Sequence, residues 1–344
     1  MKYRKIILLV ISVLFLAGGI TGFHFYNKVK GENVVKDTFI YIPTNATFEE
    51  VAKLIEPFIK DKESFLWVAR KKNYPNKIRA GKYRIDKGMS NEELINHLRG
   101  GEPETINLTF NNQDYIEKLA GRVSEQIEAD SISILKTITD ENFLKKNNLN
   151  KSTVLSLFIP NSYQFYWNTS AESFRDRMLK EYKKFWNKKR LDKALKLNIT
   201  PLEVIILASV VQKETAKVSE RPRVAGLYLN RLKDNWPLQA DPTVIYAIKE
   251  KYGRDTVIRR VLTKDLEIDS PYNTYKNTGL PPGPIAMPDI SSIDAVLNPE
   301  EHHYYYMCAS VDKPGQHEFA KTHSQHMINA RKYQKWISKQ GINR

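Results

Sequence analysis

The chain has 344 residues, 41% of them apolar, a net charge of +15 and a single cysteine, Cys308. That length allows two domains with a real core, and one cysteine excludes a scaffold stapled by internal disulfides. The positive charge admits a lysine-rich solvated surface or an anionic partner: a polyanionic envelope polymer, a membrane surface or nucleic acid. Zinc-finger spacing, an aromatic RNP-like run and a glycine-rich phosphate loop are all missing, so nucleic acid is not expected.

Lys2, Arg4 and Lys5 precede a stretch from Ile6 to Asn27 without Asp, Glu, Lys or Arg. At 1.5 Å per residue it reaches roughly 30 Å, enough to cross a bilayer core. Ala17-Gly18-Gly19 offers a small-residue cleavage site, but the apolar run continues past it, which favours an uncleaved anchor over a signal peptide. His24, Phe25 and Tyr26 read as an interfacial end. The expectation is a cytoplasmic tail at 1–5, a single transmembrane anchor at 6–27 in the cytoplasmic (inner) membrane, and the remainder outside the cytoplasm.

Residues 35–108 predict a small α+β module. "FIYIP" (39–43) and "GKYRI" (81–85) read as strands. Between them lie a helix opened by a capping box, Thr47 with Glu50, and a second helix at about 64–72. A second capping box, Ser90 with Glu93, opens a helix that stops at Gly100-Gly101, and "TINLTF" (105–110) is the next strand. Strand, two helices, strand is a LysM-like pattern, of the kind that binds amino-sugar glycans; a plain spacer would share it. Residues 111–200 predict mostly helix, interrupted by "FIPNSYQFYWNTS" (158–170), whose five aromatics suit either sugar stacking or loop packing.

The chain becomes specific at "LASVVQKETA" (207–216). Thr200, Pro201 and Glu203 supply a helix start, and Val204 to Val211 are apolar or small, so the helix is expected to be buried nearly all round. Leu207, Val210, Val211 and Glu214 share one face. A carboxylate on a buried face holds its proton more tightly, the negative end of the helix dipole pushes the same way, and a protonated acid near neutral pH is what general acid catalysis needs. The alternative is an ion pair with Arg221 or Arg223. Downstream, Asn230 and Arg231 interrupt an apolar helix. Gln239 and Asp241 precede another helix, with Asp241 read as its N-cap and Pro242 as its first residue. A loop at 270–289 carries five prolines together with Tyr272, Asn273, Thr274 and Tyr275.

"ASVVQKETAKVSERPRVAGLYLNRL", "LQADPTVIYAI", "SPYNTYKNTGLPPGPIAMPDISSIDAVLNPE" and "FAKTHSQH" together resemble the YceG-like (MltG) family of endolytic murein transglycosylases, in order over about 35–338. The resemblance implies an α+β chain with a single N-terminal transmembrane helix, a LysM-like βααβ module (35–108) and a mixed α/β catalytic domain (109–344) around a buried catalytic helix. It implies cleavage of the β-1,4 bond between N-acetylmuramic acid and N-acetylglucosamine in nascent strands, leaving a 1,6-anhydro end. It carries the family's catalytic acid onto Glu214 and suggests cell-wall synthesis proteins as partners. Gln239, Asp241, Asn273 and Tyr275 are expected to line the glycan groove, followed by Gln212, Asn230 and Tyr272. Two departures stand out: Asn161 lies where Asp is common, and Gln212 where Glu is common.

No cofactor or metal is expected. His317, His323 and His326, with His302 and His303 nearby, lack a strong metal spacing. Two other readings stay open. A conventional muramidase needs a second carboxylate, for which Glu220 and Asp241 are the candidates. A membrane-anchored glycan-binding scaffold needs none.

Overall fold

The computed structural model describes residues 2–258 and 260–339. The chain divides into two compact units, 1–108 with 126–129 and 163–170, and 109–125 with 130–162 and 171–344. The second aromatic half of the 158–170 segment therefore groups with the first unit rather than with the sequence around it.

The first unit begins with α1 (Lys2–Lys30), the one helix among the described residues that is long and apolar enough to cross a membrane by itself. The helix continues beyond the apolar stretch at both ends, and its C-terminal part is held by the rest of the unit. Asn91 donates to the Lys28 carbonyl at 2.9 Å, Lys30 pairs with Glu92, and Phe25 packs on Trp67 at 5.5 Å between ring centroids. Then follow β1 (Thr38–Ile42), α2 (Phe48–Ile55), α3 (Lys62–Lys71), β2 (Gly81–Ile85) and α4 (Asn91–Gly100). β1 and β2 pair antiparallel from Thr38↔Ile85 to Ile42↔Gly81. Alternation sends Ile40, Ile42, Tyr83 and Ile85 into a core with Val51, Ile55, Phe65 and Leu94. Both predicted capping boxes form: Thr47 and Ser90 each exchange bonds with the Glu three residues on. α3 starts two residues before its expected first residue because Asp61, not a later residue, caps it through Ser64 N–H. β3 (Thr105–Phe110) follows.

β4 (Asn161–Tyr166) pairs with β3, and both strands have residues in each unit. The second unit is mixed, with helices dominant: α5 (Ile116–Ser124), α6 (Ser131–Ile138), α7 (Glu141–Lys146), then α8 (Ala171–Phe185) and α9 (Lys188–Lys196). At its centre is α10 (Pro201–Glu214), with the predicted start: Thr200 and Glu203 form the capping box around Pro201. Val204 through Val211 are all buried. α11 (Arg221–Lys233), α12 (Asp241–Tyr252) and α13 (Ile290–Leu297) pack around it. An antiparallel hairpin, β5 (Tyr306–Ala309) with β6 (His317–Ala320), and α14 (His323–Lys339) complete the unit. Gly226 lets α11 meet the 300–302 loop, since a Cβ there would collide with the Glu300 carbonyl.

Candidate active site

The last residue of α10 is the acid the sequence singles out. Glu214 is half-buried and lines a cleft of about 420 Å³, which also takes in Thr215, Ser310, His317, Tyr333 and Trp336. Its Oε1 accepts a hydrogen bond from Tyr228 Oη at 2.7 Å. Tyr228 lies on α11 and is itself buried. Burial pushes the Glu214 carboxyl up to about 7; the Tyr228 bond and the charges of His317 and Arg231 oppose the shift, and Asp241 reinforces it. Arg231, one turn after Tyr228, is buried and spends its guanidinium on the carbonyls of Tyr305 and Leu238.

The arginines expected as alternative partners for Glu214 are engaged elsewhere. Arg223 pairs with Glu300 at 3.0 Å. Arg221, buried, reaches both carboxylate oxygens of Asp289 at 2.8 and 2.9 Å and Ser291 Oγ at 2.6 Å. Asp289 caps α13, and although burial pushes its carboxyl up, the bonds from Ser291, Ser292 N–H and Arg221 hold it below the ordinary range. Gln212 joins the same knot: its Oε1 accepts from Asp289 N–H at 2.6 Å and Ser292 Oγ at 3.2 Å. The end of α10 is thus clamped to the start of α13, which fixes where Glu214 emerges. Lys213, beside it, pairs with Asp114 at 2.6 Å.

The other expected groove residues separate into two groups. Gln239 and Asp241 are exposed and Tyr275 is partly so. Gln239 holds a left-handed backbone, φ 50°, pinned by its N–H to the Thr274 carbonyl at 3.0 Å. Asp241 corrects its predicted capping role. Ala240 occupies the N-cap, Asp241 is the first residue of α12, and its carboxylate accepts from Tyr275 Oη at 2.6 Å instead of from its own helix. The second group is structural in its contacts. Asn273 is fully buried and donates to the carbonyls of Leu266 and Ile268, at 2.8 and 2.9 Å. Asn230 donates to the carbonyls of His302 and Tyr304. Tyr272 packs on Tyr246 with centroids 4.6 Å apart.

Of the two candidate second carboxylates, Glu220 is buried and gives both oxygens to His317, to its N–H at 2.7 Å and to Nδ1 at 2.9 Å. Asp241 bears on Glu214 only through its charge. Among the described residues no group of His, Cys, Asp and Glu is arranged to hold a metal ion. Tyr228, Tyr333 and Trp336 are the site residues that sequence reasoning missed, and Glu220 and His317, each singled out for another role, were not expected to pair. The only signal for Tyr228 was its place on an apolar helix next to Asn230 and Arg231.

The YceG-like family matches residues 40–332. The endolytic murein transglycosylase of Bacillus subtilis is 31% identical over 336 residues, covering 91% of each chain. That of Streptococcus pneumoniae strain R6 is 28% identical over 361 residues, and the match covers 93% of this chain but 63% of the longer pneumococcal one. A crystal structure of a YceG-like protein from Listeria monocytogenes is similar with a TM-score of 0.57 and 28% identity, covering 85% of this chain and 98% of that one.

Proposed function

The chain belongs to the YceG-like family, and on that premise we propose that it is an endolytic murein lytic transglycosylase, a lyase of peptidoglycan, with Glu214 as its one catalytic carboxylate. The observation that carries the reading is Glu214 itself: an acid pushed up to about 7 by burial, at the end of a core helix, opening into a cleft. Such a group is protonated often enough near neutral pH to act as an acid and is basic enough afterwards to act as a base.

The reaction needs no second carboxylate and no activated water. Glu214 gives its proton to the glycosidic oxygen as the bond between that oxygen and the muramic C1 breaks. Tyr228 occupies Oε1 and so leaves Oε2 for that proton. The new carboxylate then takes the proton of the muramic 6-hydroxyl while that oxygen closes on C1, giving the 1,6-anhydro end and returning Glu214 to its starting state. Because nucleophile and electrophile belong to one sugar, the closing step is unimolecular, which replaces much of what a positioned water would supply.

The first unit fits a LysM-like role. β1 and β2 pair antiparallel with α2 and α3 between them in sequence, and the unit is tied to α1 through Asn91, Glu92 and Trp67. With α1 as a single-pass anchor in the cytoplasmic membrane, the catalytic unit works on the extracytoplasmic side, on nascent strands near their site of synthesis, where cell-wall synthesis proteins are its natural partners. Digesting purified murein with wild type and Glu214→Gln tests the assignment by mass spectrometry: anhydro-muramic ends from wild type alone support it, and equal cleavage by the variant refutes it.

A further inference from the structure

The cleft holds two features that the reaction above does not use. One is a braced imidazole. Glu220 stands in the short turn before α11 with a side chain 6% exposed, and both its oxygens accept from His317 of β6. With Nδ1 turned to a carboxylate, the ring proton sits there, and Nε2 is the nitrogen left for the cleft. The other is an aromatic pair. Tyr333 and Trp336, one turn apart on α14, stack with centroids 6.0 Å apart, and Trp336 keeps 37% of its surface exposed. His317, Tyr333, Trp336 and Glu214 all line the same cleft.

We propose that this wall is a pyranose-binding subsite, in which the Tyr333–Trp336 pair takes the C–H face of an amino sugar and His317 Nε2 hydrogen-bonds a hydroxyl or acetamido group of the ring that meets Glu214. The proposal rests on the transglycosylase reading and adds to it a place for the sugar. A pyranose ring presents axial hydrogens on a face and polar groups around its rim. It is therefore held by a flat, rigid aromatic surface below and a few fixed polar groups at the side. Glu220 touches no sugar. It is a positioning residue, locking the ring orientation and tautomer so that no rotamer freedom is lost when substrate arrives. His317 and Glu214 line one cleft, so imidazole and acid can face one substrate.

The test uses the full chain in detergent carrying Glu214→Gln, titrated with a defined tetrasaccharide of alternating N-acetylglucosamine and N-acetylmuramic acid. Trp336→Ala and His317→Ala are each expected to weaken binding about tenfold or more, and Trp336→Phe to restore most of it. Glu220→Gln should weaken binding as much as His317→Ala, and the double variant no further, because both changes remove one contact. A merely structural role would instead lower Tm and spare affinity in whatever remained folded. In the active background the losses appear in KM more than in kcat. Unchanged affinity in Trp336→Ala and His317→Ala, or no tetrasaccharide binding by the parent, overturns the subsite. Hydrolytic instead of anhydro ends from wild type would overturn the reaction assignment while leaving the binding result standing.

Discussion

Tyr228 donates its hydroxyl to Oε1 of Glu214 across 2.7 Å, joining α11 to the last residue of α10. That bond opposes the upward push of burial on the Glu214 carboxyl. Tyr228→Phe removes the opposition without changing the packed ring, so Glu214 should hold its proton to higher pH. The alkaline limb of kcat/KM is expected to move up by about one pH unit, the worth of one buried hydrogen bond of about 1–1.5 kcal/mol. A pH–rate profile of the variant checks this. A limb that stays in place would separate Tyr228 from the titration.

Asp241 works in the opposite sense. Its charge raises Glu214, and Asn at 241 still accepts the Tyr275 hydroxyl. Asp241→Asn should therefore shift the alkaline limb to lower pH while the products keep their anhydro ends. If Asp241 were the second carboxylate of a muramidase, the same change would abolish turnover, which an end-group assay of the variant reveals.

Glu214 also makes stability depend on pH, and the sign follows from its raised pKa. Between the ordinary value of 4.5 and about 7 the folded chain binds more protons here than the unfolded chain. Stability is therefore lost as pH rises through that window, and the full cost is present above it. Glu214→Gln carries no such cost. It is expected to melt a few degrees higher than wild type at pH 8, and the gap should close towards pH 4. Calorimetric melts of the two proteins at both pH values give the answer.

Asn273 was expected at the glycan groove for its polar side chain on a long loop, yet its amide is buried and bound to two carbonyls. Asn273→Ala strands those carbonyls, so the main effect should be a loss of about 2–3 kcal/mol of stability. Thermal melts should show it. A full Tm combined with a large KM defect would return Asn273 to the groove.

What the sequence made legible was local. Three capping boxes, at Thr47, Ser90 and Thr200, are read from residues three apart, and all three form. The burial of Val204–Val211 follows from an unbroken apolar run. What escaped was long-range. Glu220 and His317 are 97 positions apart, and Arg221 and Asp289 are 68. No spacing rule links them, because the turn before α11, the hairpin and the α13 cap meet only once the core has formed. Asp241 shows the same limit in miniature: its capping pattern was sound locally, but the Tyr275 hydroxyl, 34 residues away, claimed the carboxylate.

The central claim is that one carboxylate, Glu214, transfers the strand to its own 6-hydroxyl without water. Digestion of murein in heavy-oxygen water, followed by mass spectrometry of the new chain ends, tests it most directly. The account predicts anhydro-muramic ends free of the label from wild type and no new ends from Glu214→Gln. One labelled oxygen on each new reducing end, or cleavage that survives in Glu214→Gln, would contradict it.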